Sequence, residues 1–328
     1  MRVAGIDAGT NSIRLLIADV AGPAAPSKKA LSDVVRRMEI SRLGQGVDRT
    51  GKLAPDALER TLHFVAEYAQ QCQEYGVESI RFAATSATRD AANREEFTAA
   101  VRHALGVDPQ VLSGEEEART TFAGAISIHR DCPDPMLAVD LGGGSTELVL
   151  GTADGEILSS FSMDVGSVRM RERHLLTDPP TAAQIAAARA DIQAELARAR
   201  QVVDFSQART LVGLAGTVTS VTAKFLGLTS YDPAAIDGTF LTFDQIDTVC
   251  DWYLSVPAAE RAKLGFMHPG RVDVIGAGAL VWQELCRAIA SETAESAAPI
   301  LGSITSEHDI LDGLALWAAA EPNPPRWQ

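Results

Sequence analysis

Apolar residues in this chain come as short runs broken by glycine turns and as longer stretches of helical period, and that alternation predicts an α/β protein. Residues 2–6 and 13–20 are apolar runs on either side of Asp7-Ala8-Gly9-Thr10-Asn11-Ser12, the pattern of a hairpin. A loop rich in Pro and Ala at 22–29 leads to a third predicted strand at 34–43. Leu58, Leu62, Val65, Ala69 and Cys72 recur at helical spacing, so 55–75 is predicted to be an amphipathic helix, opened by Pro55 and Asp56 and ended near Gly76. A strand at 80–84, a hydroxyl-rich loop at 85–90 presenting Arg89, a helix behind Asn93 to 105, a short strand at 110–112 and a helix from 113 to 128 complete the first pattern. It then restarts after a loop at 131–135. Strands are predicted at 136–141, 146–151 and 156–163, helices at 166–174 and 181–203, and a strand at 211–214 running into a helix from Thr217. Helices at 243–254 and 272–289, sheet residues Ile300 and Leu301, a last helix at 307–320 and a tail close the chain.

The restart is a repeat. Asp140-Leu141-Gly142-Gly143-Gly144-Ser145-Thr146-Glu147 aligns with the first turn at an offset of 133 residues, Asp7 on Asp140, Gly9 on Gly142 and Ser12 on Ser145. Two unrelated hairpins are the plain alternative, but Asp-x-Gly-x-x-Ser before an apolar run rarely recurs by accident. Glycines allow positive φ and let backbone N–H groups approach phosphate oxygens. Asp140 and Glu147 stand at the two strand ends beside that turn, where carboxylates suit a hard cation such as Mg²⁺. The N-terminal N–H groups of a helix starting near Gly216 and Thr217 suit an anion. Acids in a first turn are ordinary capping chemistry, which is the reading for Glu115 and Glu116. The small residues 276–279 allow close approach by a ligand or by a neighbouring helix.

A length of 328 residues makes two domains natural. No apolar run is long enough to span a bilayer and Met1-Arg2-Val3 leads straight into a strand, so a cytoplasmic protein without membrane association is expected. Cys72, Cys132, Cys250 and Cys286 lie far apart, which suggests reduced, mostly buried thiols. The net charge of −14 argues against nucleic-acid binding, and for a polyanionic ligand it requires local cations.

The two Asp-x-Gly turns, Ala84-Thr85-Ser86-Ala87-Thr88-Arg89, Ser113-Gly114-Glu115-Glu116-Glu117-Ala118-Arg119, Gly213-Leu214-Ala215-Gly216-Thr217, Pro269-Gly270-Arg271 and Ser306 to Gly313 resemble the signature blocks of the exopolyphosphatase and guanosine-pentaphosphate phosphatase family. The resemblance spans nearly the whole chain, most closely in the manner of short, two-domain actinobacterial exopolyphosphatases. It implies two RNase H-like α/β domains of the actin, hexokinase and Hsp70 superfamily facing across a cleft. These would be residues 1–127 with 305–322, and 128–304, followed by a tail at 323–328, with hinges near 125–135 and 303–306.

The resemblance implies hydrolysis of a terminal phosphoryl group. Glu117 corresponds to the general base and Arg89 to the arginine that grips phosphate. Gly9, Thr10, Asn11 and Ser12, with Gly142, Gly143, Gly144, Ser145, Thr146, Gly216 and Thr217, are the phosphate-binding positions. Asp140 and Glu147 correspond to the metal-site acids, with Asp7 a weaker candidate. The expected cofactor is Mg²⁺, with Mn²⁺ or a monovalent ion such as K⁺ as alternatives, and the expected assembly is a homodimer. Inorganic polyphosphate is the expected substrate, with Arg169, Arg171, Arg173 and Arg271 as cations for a long chain. Guanosine pentaphosphate or another nucleotide is the alternative, a non-catalytic sensor is one of another class, and no carbohydrate or acetate signature suggests a kinase. This chain departs from the family at Asp312, commonly Arg, which removes a cation, and at Ser167, often Cys.

Overall fold

The computed structural model describes residues 1–21, 31–126, 131–296 and 298–327. Its contacts divide the chain into one unit of Met1–Ile128 with His308–Gln328 and a second of His129–Glu307. The loop expected at 22–29 and the heart of the hinge expected at 125–135 lie outside the described residues.

The first unit opens with the hairpin β1 (Arg2–Ala8) and β2 (Ile13–Val20), extended by β3 (Leu31–Glu39). A single turn, α1 (Val47–Thr50), precedes α2 (Pro55–Glu74), whose buried face carries Leu58, Val65, Ala69 and Cys72 at the expected spacing. β4 (Ser79–Ala84), α3 (Ser86–Asp90), α4 (Arg94–Leu105), β5 (Gln110–Val111) and α5 (Gly114–Ile126) follow. The sheet order is β3-β2-β1-β4-β5, antiparallel across the first three strands and parallel across β1, β4 and β5. The parallel strands are reached through helical crossovers, which is the RNase H-like arrangement.

The second unit repeats it with β6 (Met136–Leu141), β7 (Thr146–Gly151), β8 (Ile157–Met163), α6 (Ser167–Arg173), α7 (Ala182–Ala199), β9 (Thr210–Leu214) and α8 (Ala215–Phe225). The short α9 (Pro233–Ile236), β10 (Phe240–Thr242), α10 (Phe243–Ser255), α11 (Ala258–Arg261), α12 (Ile275–Thr293) and β11 (Gly302–Thr305) finish it. The order β10-β11-β9-β6-β7-β8 is the first sheet's order with one added edge strand. α12 is buried nearly all round, Trp282 included, as a helix crossing a core must be. The last helix, α13 (Ile310–Ala320), belongs to the first unit and packs Leu311, Ala315 and Ala318 on Val3, Leu16 and Ala18 of its sheet.

Several expectations change in the folded chain. The loop at 85–90 is the helix α3, too short to show a period. The third strand stops at Glu39, because Arg42 adopts a left-handed backbone (φ 52°) and bonds to the first turn instead. Asn93 caps nothing with its side chain; its amide bridges the Leu53 N–H and carbonyl at 2.8 and 3.1 Å. Residues 269–271 form a 3₁₀ turn, so the helix expected from 272 begins at Ile275, and the strand expected at Ile300 and Leu301 is Gly302–Thr305. The last helix begins three residues late, where Asp309 accepts the Leu311 N–H at 3.0 Å. The tail is docked, not loose: Ile80 N–H donates to the Asn323 carbonyl at 3.0 Å and Arg326 N–H to Gly106 at 3.1 Å. Cys72, Cys250 and Cys286 are buried, and burial pushes the Cys72 thiol up to about 12. Among the described residues no helix is long and apolar enough to cross a membrane.

Candidate active site

In the first unit the Gly9 N–H donates to the Ser12 carbonyl at 2.9 Å, and in the second the Gly142 N–H donates to Ser145 at 3.0 Å. Each hairpin is therefore closed by its first glycine, leaving a loop of two residues: Thr10 and Asn11 in one, Gly143 and Gly144 in the other. Positive φ is not what either closing glycine supplies. A Cβ at Gly9 or Gly142 would stand 3.3 or 3.1 Å from that same serine carbonyl, so the need is for room.

The loop carbonyls are occupied from behind. Gly44 N–H donates to Thr10 at 2.8 Å and Arg42 N–H to Asn11 at 2.9 Å. In the second unit the Ser167 N–H holds Gly142 at 3.0 Å, while the Val168 and Arg169 N–H groups hold Gly143 at 2.8 and 3.1 Å. The Arg169 side chain completes the set, its Nε donating to Gly144 at 2.6 Å. A trans peptide sets N–H and C=O in opposite directions. Drawing the carbonyls backward therefore aims the next amides forward: Asn11 and Ser12 in one unit, Gly143, Gly144 and Ser145 in the other. The two braces, 42–44 and 167–169, carry no motif of their own and were missed as part of the turns; Arg42 and Gly44 following a strand end was the available signal.

Asp140 and Glu147 are register partners across β6 and β7, so their side chains share one face, and both are buried. Ser162 Oγ donates to Glu147 Oε1 at 2.9 Å, and Thr146 Oγ1 donates to the Val165 carbonyl at 2.7 Å. Like charges directly opposite are unfavourable unless something positive offsets them. Two adjacent carboxylates thus fit a divalent cation. Among the described residues no three His, Cys, Asp or Glu side chains gather as a metal cage. Mg²⁺ accepts such a site, since it keeps water and phosphate oxygens as its other ligands.

Asp7 stands in different surroundings. Arg14 donates from Nε and Nη2 to Asp7 Oδ2 at 3.1 and 2.7 Å, and its Nη1 is bound to Asp309. Desolvation raises the Asp7 carboxyl above its ordinary range against the pull of Arg14.

Glu117 and Arg89 are brought together on α5 and α3. Arg89 Nη1 donates to Glu117 Oε2 at 2.9 Å and to the Leu112 carbonyl at 2.8 Å, which fixes the orientation of a carboxylate that is 8% exposed. The neighbouring acids do other things. Glu116 accepts the Ser113 N–H at 2.8 Å and its own N–H donates to Ser113 Oγ at 3.2 Å, a capping box, while Glu115 pairs with Arg119 on the surface at 3.0 Å.

Gly216 and Thr217 lie in the first turn of α8, directly after its first residue Ala215, which is left-handed (φ 67°), a strain typical of functional turns. The Arg271 guanidinium covers Gly216: a Cβ there would stand 1.3 Å from Nη1. Gly278 of α12 abuts Thr217 and Ser167, so the small residues at 276–279 serve helix packing. Of the arginines expected to line a polyanion path, Arg169 thus braces the glycine turn and Arg271 the start of α8. Arg171 is bound to the Leu175 carbonyl, and Arg173 reaches Asp191 at 3.2 Å. None of the four serves only as a distant cation, because each guanidinium has a structural partner nearby.

Two sheets of matching strand order in one chain, each opened by this braced hairpin, define a protein built of two RNase H-like α/β units. The chain belongs to the Ppx/GppA phosphatase family, whose profile matches residues 21–304. It is 44% identical to exopolyphosphatase 2 of Mycobacterium tuberculosis over 96% of this chain and 98% of that one. A crystal structure described as an exopolyphosphatase-like protein superposes with a TM-score of 0.91 at 45% identity, covering 96% of each chain. The Ppx/GppA family member of Aquifex aeolicus superposes with a TM-score of 0.77 at 30% identity, covering 98% of this chain and 99% of that one.

Proposed function

We propose that this chain is an exopolyphosphatase, which hydrolyses the terminal phosphate of inorganic polyphosphate. The observation that carries the reading is the 44% identity to a mycobacterial exopolyphosphatase across 96% of the chain. The two braced hairpins agree with it: forward-facing amides suit phosphate oxygens, whose charge spreads in a loose transition state. In this reading Asn11, Ser12, Gly143, Gly144 and Ser145 hold phosphate through the backbone. Glu117 takes the proton of the attacking water, with Arg89 fixing its orientation and offering its remaining donors to phosphate. Asp140 and Glu147 hold Mg²⁺, which when bound offsets phosphate charge. A cytoplasmic homodimer completes the reading.

The test is phosphate release with Mg²⁺ from long polyphosphate, short polyphosphate, guanosine pentaphosphate and ATP at matched concentrations. Long polyphosphate is expected to give the highest kcat/KM. Preference for guanosine pentaphosphate would move the protein to the other activity in its family's name, and no release from any of the four would leave a sensor.

A further inference from the structure

The two hairpins share their register at an offset of 133 residues, and at one register pair they differ in a chemically decisive way. Asp7 faces Arg14 across β1 and β2 in the same register in which Asp140 faces Glu147 across β6 and β7. One unit therefore sets a carboxylate beside a guanidinium, and the other sets two carboxylates side by side. Arg14 is mostly buried and spans two buried acids, with two donors on Asp7 Oδ2 and Nη1 on Asp309. Asp309 is itself fixed, because its Oδ1 caps α13 through the Leu311 N–H at 3.0 Å. Among the described residues Asp7 Oδ1 is buried without a hydrogen-bond partner, so the carboxylate is held there by one oxygen and from one side.

We propose that Arg14 is a positioning residue of the phosphatase site that occupies, between Asp7 and Asp309, the place a divalent cation takes between Asp140 and Glu147. Asp7 is then the partner of a guanidinium and not a metal ligand. A divalent ion on Asp7 Oδ1 would lie close to the positive charge already bound to Oδ2, and the repulsion disfavours it. The same contact ties the strand that leads into Gly9 to the first residues of α13. α13 in turn lies on α5, the helix of Glu117, with the Asp309 carbonyl and Gly124 in direct apposition. Arg14 thereby sets the first hairpin and the Glu117 helix against one another.

The proposal rests on the phosphatase reading, but its test reads metal binding directly. Mn²⁺ is titrated into the whole protein without substrate and followed by electron paramagnetic resonance. One ion is expected to bind wild type. Asp140→Asn and Glu147→Gln should each weaken it at least tenfold, while Asp7→Asn stays within twofold. Arg14→Gln, by releasing Asp7 and Asp309, should gain a second ion that Arg14→Lys does not. In turnover Asp7→Asn and Arg14→Gln should lower kcat without raising the Mg²⁺ needed for half activity, and the double variant should be no worse than the poorer single one. Should Arg14→Gln fail to fold, Arg14→Lys and the near-isosteric Asp7→Asn carry the test. An Asp7→Asn that loses Mn²⁺ as Asp140→Asn does, or a wild type that binds no ion, overturns the proposal. Absence of phosphate release with the Mn²⁺ pattern intact would instead sink only the exopolyphosphatase reading.

Discussion

Glu115, Glu116 and Glu117 are consecutive, yet one pairs with a surface arginine, one caps its helix and one is buried against Arg89. Only the last is held as a base must be, oriented by a fixed partner. Replacing Glu117 by Gln keeps the shape and removes the proton acceptor, so single-turnover rates should fall roughly 10²–10⁴-fold with substrate binding retained. Near-normal turnover in that variant would place the base elsewhere. Asp312 shows how a departure from the family is absorbed. It is buried, with Arg36 Nη2 at 2.8 Å and His308 Nδ1 at 2.9 Å. Desolvation pushes its carboxyl up, but the His308 hydrogen bond and the Arg36 charge outweigh that and leave it below its ordinary 3.8. A depressed folded-state value means stability that is present above that ordinary value and lost as pH falls through the lower one. Thermal melts from pH 5 to pH 2 should therefore show a steeper loss in wild type than in Asp312→Asn, the variant being less stable at pH 5. Parallel curves would refute the assignment.

At the scale of elements, the site depends on how closely helices meet. A Cβ at Gly124 would stand 1.9 Å from the Asp309 carbonyl, and one at Gly313 the same 1.9 Å from Thr120, so α5 and α13 touch backbone to backbone. Gly313→Ala should cost about 1–3 kcal/mol by overpacking, measurable by urea unfolding, and it should lower kcat because α5 carries Glu117. A stable variant with normal kcat would uncouple the two helices. The braces behind the hairpins give a second element-level expectation. Arg169 donates to the Gly144 carbonyl, so Arg169→Ala should loosen a turn that, in the proposed function, every substrate uses. Its kcat/KM should drop by a similar factor on long and short polyphosphate. A loss confined to long chains would return Arg169 to the polyanion path.

For the whole molecule the governing quantity is charge. A net −14 repels a polyanion, and the arginines that could oppose this are tied to turns and helix starts. Screening shortens the reach of that repulsion to about 10 Å at 0.1 M salt. At fixed free Mg²⁺, kcat/KM on long polyphosphate should not fall as ionic strength rises from about 0.01 to about 0.15 M, in contrast to sites built on rows of cations. A steep fall would reveal such a row.

Local pattern was enough to read the two hairpins, the repeat at 133 residues and the long amphipathic helix, because each rests on residues a few positions apart; of the two acids expected to cap beside Glu117, only Glu116 does so, while Glu115 pairs with Arg119. The family blocks were legible for the same reason: turn chemistry needs particular residues at fixed short spacing. What the sequence could not supply were pairings at long range. Arg14 bound to Asp309, Arg36 to Asp312, Asn323 to Ile80 and Gly44 to Thr10 depend on where distant segments return. Short elements such as α3 and β10 are too brief for a period, and tertiary contacts alone stabilise them. Sequence therefore determined which residue types stand at the turns and helix starts proposed to hold phosphate. Only the tertiary structure decided which guanidinium each carboxylate received, because a charge's partner is chosen by proximity in space and by the cost of burying it unpaired.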